Sequence, residues 1–486
     1  MSSSTPATTA AAKRKATKVK RRLSLRSTRR HRAHRPPPPT STPVTLTSMS
    51  PAMVDRLFWR AGFGPTADAR ARFTGKPVMD AVAWLLTTPN TFVGPAPLRD
   101  GKALDPTGDD TDLVLSWFDQ MIRGSNPLVE RLTFFWHRHW ASSREDVSPP
   151  QLLLKQSASF RSYASFAGNP NLSFRDLAYA ITEDPAMLRY LTGESNVKGS
   201  PNENYARELM ELFCLGVVGP TGQRNYSEND VRQLAKAFSG WQVNDTDPDQ
   251  PRAYFTPSRW YNGPKVVFGK LSNYTSRTAV DAVLAHPAHA QFLVHKLWDE
   301  FIVSPPDAAT VNRLTSLYTS GGFKLKPLLE QILSHPALFE SIAEPNMIKP
   351  PIVYIAGAMR AVGAPITDST PADYADDMGQ VPYFPPTVAG WEGGLSWLNT
   401  NTALARVGFV GRLLEDAVID DVTGETSDAA YDRAYAAVGA PWQAASTQAA
   451  LRDYARRAPA SSAKLRKERQ IMLRALILAG PDCQVM

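Results

Sequence analysis

Cysteine is nearly absent. Cys214 and Cys483 are the only two in 486 residues, which excludes a disulfide framework and a cysteine metal cluster and leaves the redox compartment open. No apolar run approaches the roughly 18 residues of a membrane-spanning helix. Familiar catalytic signatures are missing too. There is no Gly-x-Ser-x-Gly elbow and no Gly-x-Gly-x-x-Gly fingerprint. The stretch from Gly263 to Lys270 is one residue too long for a phosphate loop and runs into Leu271 where Ser or Thr is needed. No Glu-x-x-His or His-Glu-x-x-His pattern supplies a metal pair on one helix.

Acid is absent from the first stretch of chain. Residues 1–54 hold 12 of the 54 Lys and Arg and no Asp or Glu, leaving 42 basic against 46 acidic residues beyond, so a net charge of +8 becomes −4 for the body. Residues 1–50 lack hydrophobic periodicity and pass from Ser, Thr and Ala through Lys13 to Arg35 into four prolines, Pro36 to Pro39. Such a composition buries too little apolar surface to order itself, and predicts a disordered basic, Pro-rich arm. Lys20-Arg21-Arg22-Leu23-Ser24-Leu25 is similar to a twin-arginine export signal, but basic residues and prolines stand where the apolar segment should begin. The arm is therefore no usable signal peptide, and the compartment stays unknown. A basic arm binds nucleic acid or an anionic surface by counterion release without sequence specificity; a solvated tail or a misassigned start is the plainer reading.

The rest, 51–486, reads as a mainly α, multi-helix globular assembly, with 420–486 as a candidate C-terminal helical subdomain. Periodicity and caps predict helices over about 110–123, 127–141, 149–165, 174–183, 185–192, 201–215, 228–241, 276–285, 289–302, 306–319, 325–334, 346–362, 402–418, 446–457 and 461–479. Aromatic pairs separated by Pro and Gly give a small hairpin or irregular excursion near 243–272. The Pro/Gly-rich stretch 364–399 is a second, non-helical excursion, of a length that tends to be functional or disordered. Asp184-Pro185 and Ser227 with Asp230 read as helix caps, and His286-Pro287 and His335-Pro336 as helix boundaries.

Several long motifs together carry a family resemblance. They are Arg60-Ala61-Gly62-Phe63-Gly64-Pro65-Thr66, the run Glu130 to Trp140, Asp184 to Leu188, Pro201 to Gly216, Tyr226-Ser227-Glu228 with Gly240-Trp241, Pro385 to Trp391, and Pro481-Asp482-Cys483-Gln484. From about Ala52 to its end, the chain resembles the bacterial "domain of unknown function 1800" family. The resemblance implies no activity. Members resemble exported proteins, often encoded beside a phosphatase- or sulfatase-like protein, which makes such a protein a candidate partner; the lack of a usable signal peptide here is a departure.

Two stretches invite chemistry. In Ser200 to Gly216, Ser200 and Glu203 form a capping box, Pro201 takes the first helical position and Gly216 the left-handed residue past the end. At about 100° per residue, Tyr205, Leu209, Leu212 and Phe213 share an apolar face, while Asn204, Arg207, Glu208 and Glu211 share a polar one. Glu208 and Glu211, three apart, reach one divalent cation, as in half of a helical-bundle carboxylate site; Arg207 and Glu211 equally form a surface i, i+4 ion pair. In the helix opening at Asn126-Pro127, His139 follows the apolar face and His137 lies nearly opposite, toward the surface. His139 is then either a core histidine satisfied by hydrogen bonds or a general base or metal ligand. Trp391 and Trp397 either cover the core or stack on a flat ligand.

Two functional readings follow. One is a metal-assisted hydrolase or oxidoreductase in which Glu208 and Glu211 hold the cation, His139 supplies a ligand or base and Arg207 orients an anionic group. The other is a non-enzymatic helical scaffold that binds a partner protein or envelope polymer through Trp391 and Trp397.

Overall fold

The computed structural model describes residues 46–247 and 251–486. Nearly all of the proposed basic arm lies outside them. The described body is helical, with twenty α-helices and three two-stranded antiparallel hairpins. Each hairpin is local: Leu98–Arg99 with Lys102–Ala103, Trp241–Asn244 with Arg252–Phe255, and Lys265–Val267 with Lys270–Ser272. The last two fall in the excursion expected at 243–272. The stretch 364–399 is less irregular than expected, because it contains the short helix Thr370–Asp377 and a 3-10 turn at Gly394–Trp397.

Local chemistry sets the helix ends. Asp109, Asn126, Ser173, Asp184 and Ser227 each accept an N–H of the first turn, and Ser227 with Asp230 closes a reciprocal capping box. His286 and His335 also act as caps. The Nδ1 of each accepts the amide of the residue after the proline, Ala288 or Ala337, at 3.2 Å.

Two hydrophobic cores fill the body, one built on helices between 51 and 333 and one dominated by Leu113 to Met121 and residues 352–486. The helix Pro127–His139 runs between them. Leu128, Leu132, Phe135 and Trp136 enter the first core while Phe134 enters the second. All but one of its residues are buried, so its charged groups are paired. Glu130, fully buried, accepts from Arg161 Nε at 2.5 Å and from Trp117 Nε1 at 3.1 Å. Arg131 and Arg138 both reach Glu300, at 3.0 and 3.2 Å.

Candidate functional site

That central helix decides the standing of the two histidines. His137, expected at the surface, is buried: its Nε2 accepts the Tyr383 amide at 3.2 Å, and the rings of Trp117, Phe134, Tyr383 and Trp391 surround it. The correction has a simple cause. Helical periodicity assigns an outer face only when one side meets water, and this helix has a core on both sides. Burial pushes the His137 pKa down to about 3, which keeps the ring neutral and its Nε2 an acceptor.

His139 is also buried, and its pKa is likewise pushed down to about 3, by burial first and by Lys296 next. Its Nε2 lies 2.9 Å from the Phe213 carbonyl, so Nε2–H donates there. His289 makes the matching contact one residue on, with Nδ1 3.1 Å from the Cys214 carbonyl and Nε2 3.0 Å from the Tyr318 hydroxyl. Two neutral imidazoles thus take the last carbonyls of the segment carrying Glu208 and Glu211. A helix end leaves its final carbonyls without intrahelical donors, and buried ones need a side-chain partner.

The segment itself departs from the regular helix expected over 201–215. Ser200 does not cap it, since Ser200 pairs instead with Val197 and the helix begins at Asn204. Asn202 organises the start: its side chain accepts the Asn204 amide at 2.9 Å and donates to Thr192 and Ser195. Asn204 also donates to Thr192 Oγ1, at 3.0 Å. After Asn204–Glu208 the chain widens into a π-turn, Leu209–Cys214, with the Leu215 and Gly216 amides both donating to the Met210 carbonyl at 3.0 Å. Gly216 takes φ +76°, the left-handed conformation expected of it. The widened turn brings Met210 and Cys214 into the core beside Tyr205, Leu209 and Phe213, and leaves Leu212 half-buried. Isolated π-turns occur frequently at functional sites.

On the polar face the acids divide into two kinds. Arg207 Nη2 bonds Glu203 at 2.9 Å and Glu228 at 2.8 Å, so the pair with Glu211 suggested by i, i+4 spacing gives way to these two. Glu208 and Glu211 have no ion pair among the described residues; Glu211 accepts only the Tyr226 hydroxyl, at 3.3 Å. Burial and then the Glu211 charge push the Glu208 carboxyl upward, against Arg207. Tyr190 borders the same region: burial raises its hydroxyl to about 12, aided by Asp146, Glu208 and Glu145. Among the described residues no group of three His, Cys, Asp or Glu side chains is arranged to hold a metal ion.

Trp391 and Trp397 are both buried. Trp391 stacks on Phe134 with centroids 5.3 Å apart, and the turn before it is tight, since a Cβ on Gly390 would lie 2.7 Å from the Arg138 carbonyl oxygen. Trp391 also reaches the wall of a groove of about 570 Å³, with Phe384, Pro385 and Pro386, and with Asp373, Asp376 and Asp377 among the other lining residues. Sequence reasoning did not find a second concavity, beside the Arg60–Thr66 motif, because its lining comes from segments hundreds of residues apart. The only signal in the sequence was the glycine-bearing motif itself.

The model of a family described as "Protein of unknown function (DUF1800)" matches residues 56–485. No curated protein and no solved structure matches.

Proposed function

We propose that this chain, which belongs to the DUF1800 family, holds a hard divalent cation on Glu208 and Glu211 and uses it in metal-assisted hydrolysis. One observation carries the reading. Of the four acids around Arg207, Glu203 and Glu228 are paired with its guanidinium, while Glu208 and Glu211 make no ion pair among the described residues and the Glu211 charge pushes the Glu208 carboxyl upward. The donor set narrows the metal. Two carboxylates without histidine or thiolate suit Mg²⁺ or Mn²⁺, which keep several waters, and not zinc. Such an ion supplies Lewis acidity and a more acidic bound water.

The roles given to neighbouring residues change. His139 donates its Nε2–H to Phe213, so it serves the site by fixing the π-turn. Arg207 is held between two carboxylates, which makes it a positioning residue for the turn. Tyr226, on Glu211, orients one member of the pair.

Titration of the full chain with Mn²⁺ by calorimetry tests this. One equivalent bound by the wild type and lost in both Glu208→Gln and Glu211→Gln is the expected result. No binding at millimolar Mn²⁺, or unchanged binding in the variants, overturns it.

The scaffold reading keeps one supporting observation, the Trp391 groove with its aspartates. A partner seated there carries positive charge. An Asp376→Asn, Asp377→Asn variant that retains every partner captured by the wild type counts against it.

A further inference from the structure

The cleft beside the Arg60–Thr66 motif has a volume of about 560 Å³, within the range of roughly 300–1,000 Å³ typical of small-molecule sites. One part of its wall is aromatic: Phe58, Phe73 and Trp84 form a ring cluster with centroids 5.7, 5.8 and 6.0 Å apart. Ile122, Pro127 and Met359 contribute further apolar lining.

Three arginines also line it, and they differ in what holds them. Arg123 is bound to Asp119 by an ion pair of 2.5 Å. Arg72 lies over the Phe73 and Trp84 rings, at 5.5 and 5.7 Å, and has no ion pair among the described residues. Arg360 is largely buried, again without a carboxylate. Its Nη1 donates to the carbonyls of Met121, Ile122 and Gly124 at 3.0, 2.8 and 2.9 Å, which pins the guanidinium to the end of the helix Asp110–Arg123. Its Nε is buried with no hydrogen-bond partner, and Nη2 makes none among the described residues. Burial lowers the Arg360 pKa to about 10, which leaves it charged at neutral pH. The acid on the lining, Asp68, is exposed and sits one helical turn before Arg72.

With Nη1 spent on carbonyls and Nε closed off by the surrounding protein, Nη2 is the donor Arg360 has left for a carboxylate, through one charge-assisted bond. A guanidinium held by carbonyl dipoles without a carboxylate keeps its net charge in an apolar wall, and an anion there offsets it. A flat ring gains both from the aromatic cluster and from the Arg72 cation above it.

We propose that this cleft binds a small organic acid with a flat aromatic body, its carboxylate on Arg360 and its ring against Phe73 and Trp84. The site shares no residue with the Glu208–Glu211 pair, so it stands or falls independently of the cation reading.

Calorimetric titration of the full chain with 2-naphthoate, its neutral analogue 2-naphthamide, and decanoate tests the proposal. Naphthoate is expected to bind at least about 10-fold more tightly than naphthamide, with Arg360→Met reducing the naphthoate affinity about 10- to 100-fold and abolishing that preference. Arg72→Gln, at an exposed position, is expected to weaken naphthoate several-fold with an unchanged unfolding temperature. Because Arg360 also secures a helix end, the wild-type acid-against-amide comparison and Arg72→Gln decide the matter if Arg360→Met fails to fold. Equal affinity for acid and amide, no binding at millimolar ligand, or wild-type affinity in folded Arg360→Met each overturns the proposal. Tighter binding of decanoate than of naphthoate overturns the aromatic specificity.

Discussion

Replacing Asp184 with Asn is expected to stabilise the protein, and to do so more strongly at pH 8 than at pH 5. Asp184 caps the helix Pro185–Tyr190, accepting the Met187 amide at 2.8 Å and Gln156 Nε2 at 2.7 Å. Both donors favour the carboxylate, yet the group is buried, and desolvation outweighs them to raise its pKa to about 7. An unfolded Asp titrates near 3.9. Below that value both states are protonated and the full stability is present; as pH rises the unfolded chain ionises first, so stability falls until the folded group also ionises near 7. Three units at about 1.36 kcal/mol each give a total loss of about 4 kcal/mol, of which about 3 kcal/mol falls between pH 5 and pH 8. The amide introduced by Asp184→Asn is uncharged, and its oxygen still accepts both hydrogen bonds.

Urea unfolding of wild type and Asp184→Asn at the two pH values reads this as a difference of differences. The buried histidines His137, His139 and His289, whose pKa values are all lowered by burial, titrate in both proteins and cancel. An advantage for the variant that grows by about 3 kcal/mol from pH 5 to pH 8 is expected. An advantage that is constant with pH, or a wild type that gains on the variant at pH 8, would refute the reasoning and make Asp184 an ordinary ionised cap.

Glu130→Gln is expected to cost about 1–3 kcal/mol in the same assay, because it leaves the partly exposed Arg161 guanidinium beside a neutral, fully buried acceptor; a loss below about 0.5 kcal/mol would show that this pair is dispensable. Gly390→Ala should cost about 1–3 kcal/mol, since φ is +76° and the new methyl meets the Arg138 carbonyl. Thermal unfolding at the wild-type temperature would show that the turn relaxes.

Much of the fold was legible because its helices announce their own ends. Asp109 before the helix Asp110–Arg123 and Asn126-Pro127 before the helix Pro127–His139 set starting points that depend only on neighbouring residues. Ser200 shows where such reasoning fails: its spacing from Glu203 satisfies the capping-box pattern, but Asn202 holds the local backbone through Thr192, Ser195 and Asn196, and the helix starts later. Leu212 and His137 fail for different reasons. Leu212 sits in a π-turn, where a constant 100° per residue no longer applies, and His137 sits on a helix enclosed by two cores. At the candidate site, the polar character of Arg207, Glu208 and Glu211 was plain from spacing. Which acids Arg207 neutralises was not, because Glu228 arrives from the next helix. The Arg360 cleft left almost no trace in the sequence, since Trp84, Ile122 and Arg360 meet only through tertiary packing.

The buried arginines also bear on how the protein comes apart. Arg56 donates to the carbonyls of Leu338, Glu340 and Ser341, Arg60 to those of Phe301 and Met486, Arg360 to three at the end of another helix, and Arg406 to that of Lys349. The tie between Arg60 and Met486 spans 426 positions of chain. The amide carbonyls of Phe301, Leu338, Glu340, Ser341 and Lys349 do not titrate, and bonds buried from the ionic atmosphere are little screened, so acid and salt that loosen surface ion pairs leave those fastenings in place. Their sequence separation has a kinetic corollary: contacts of such high order close only after most of the chain has been gathered. Closure of these contacts is therefore expected late in refolding, and once formed they fasten the helix Pro51–Arg60 to Phe301 and to the stretch from Leu338 to Ser341.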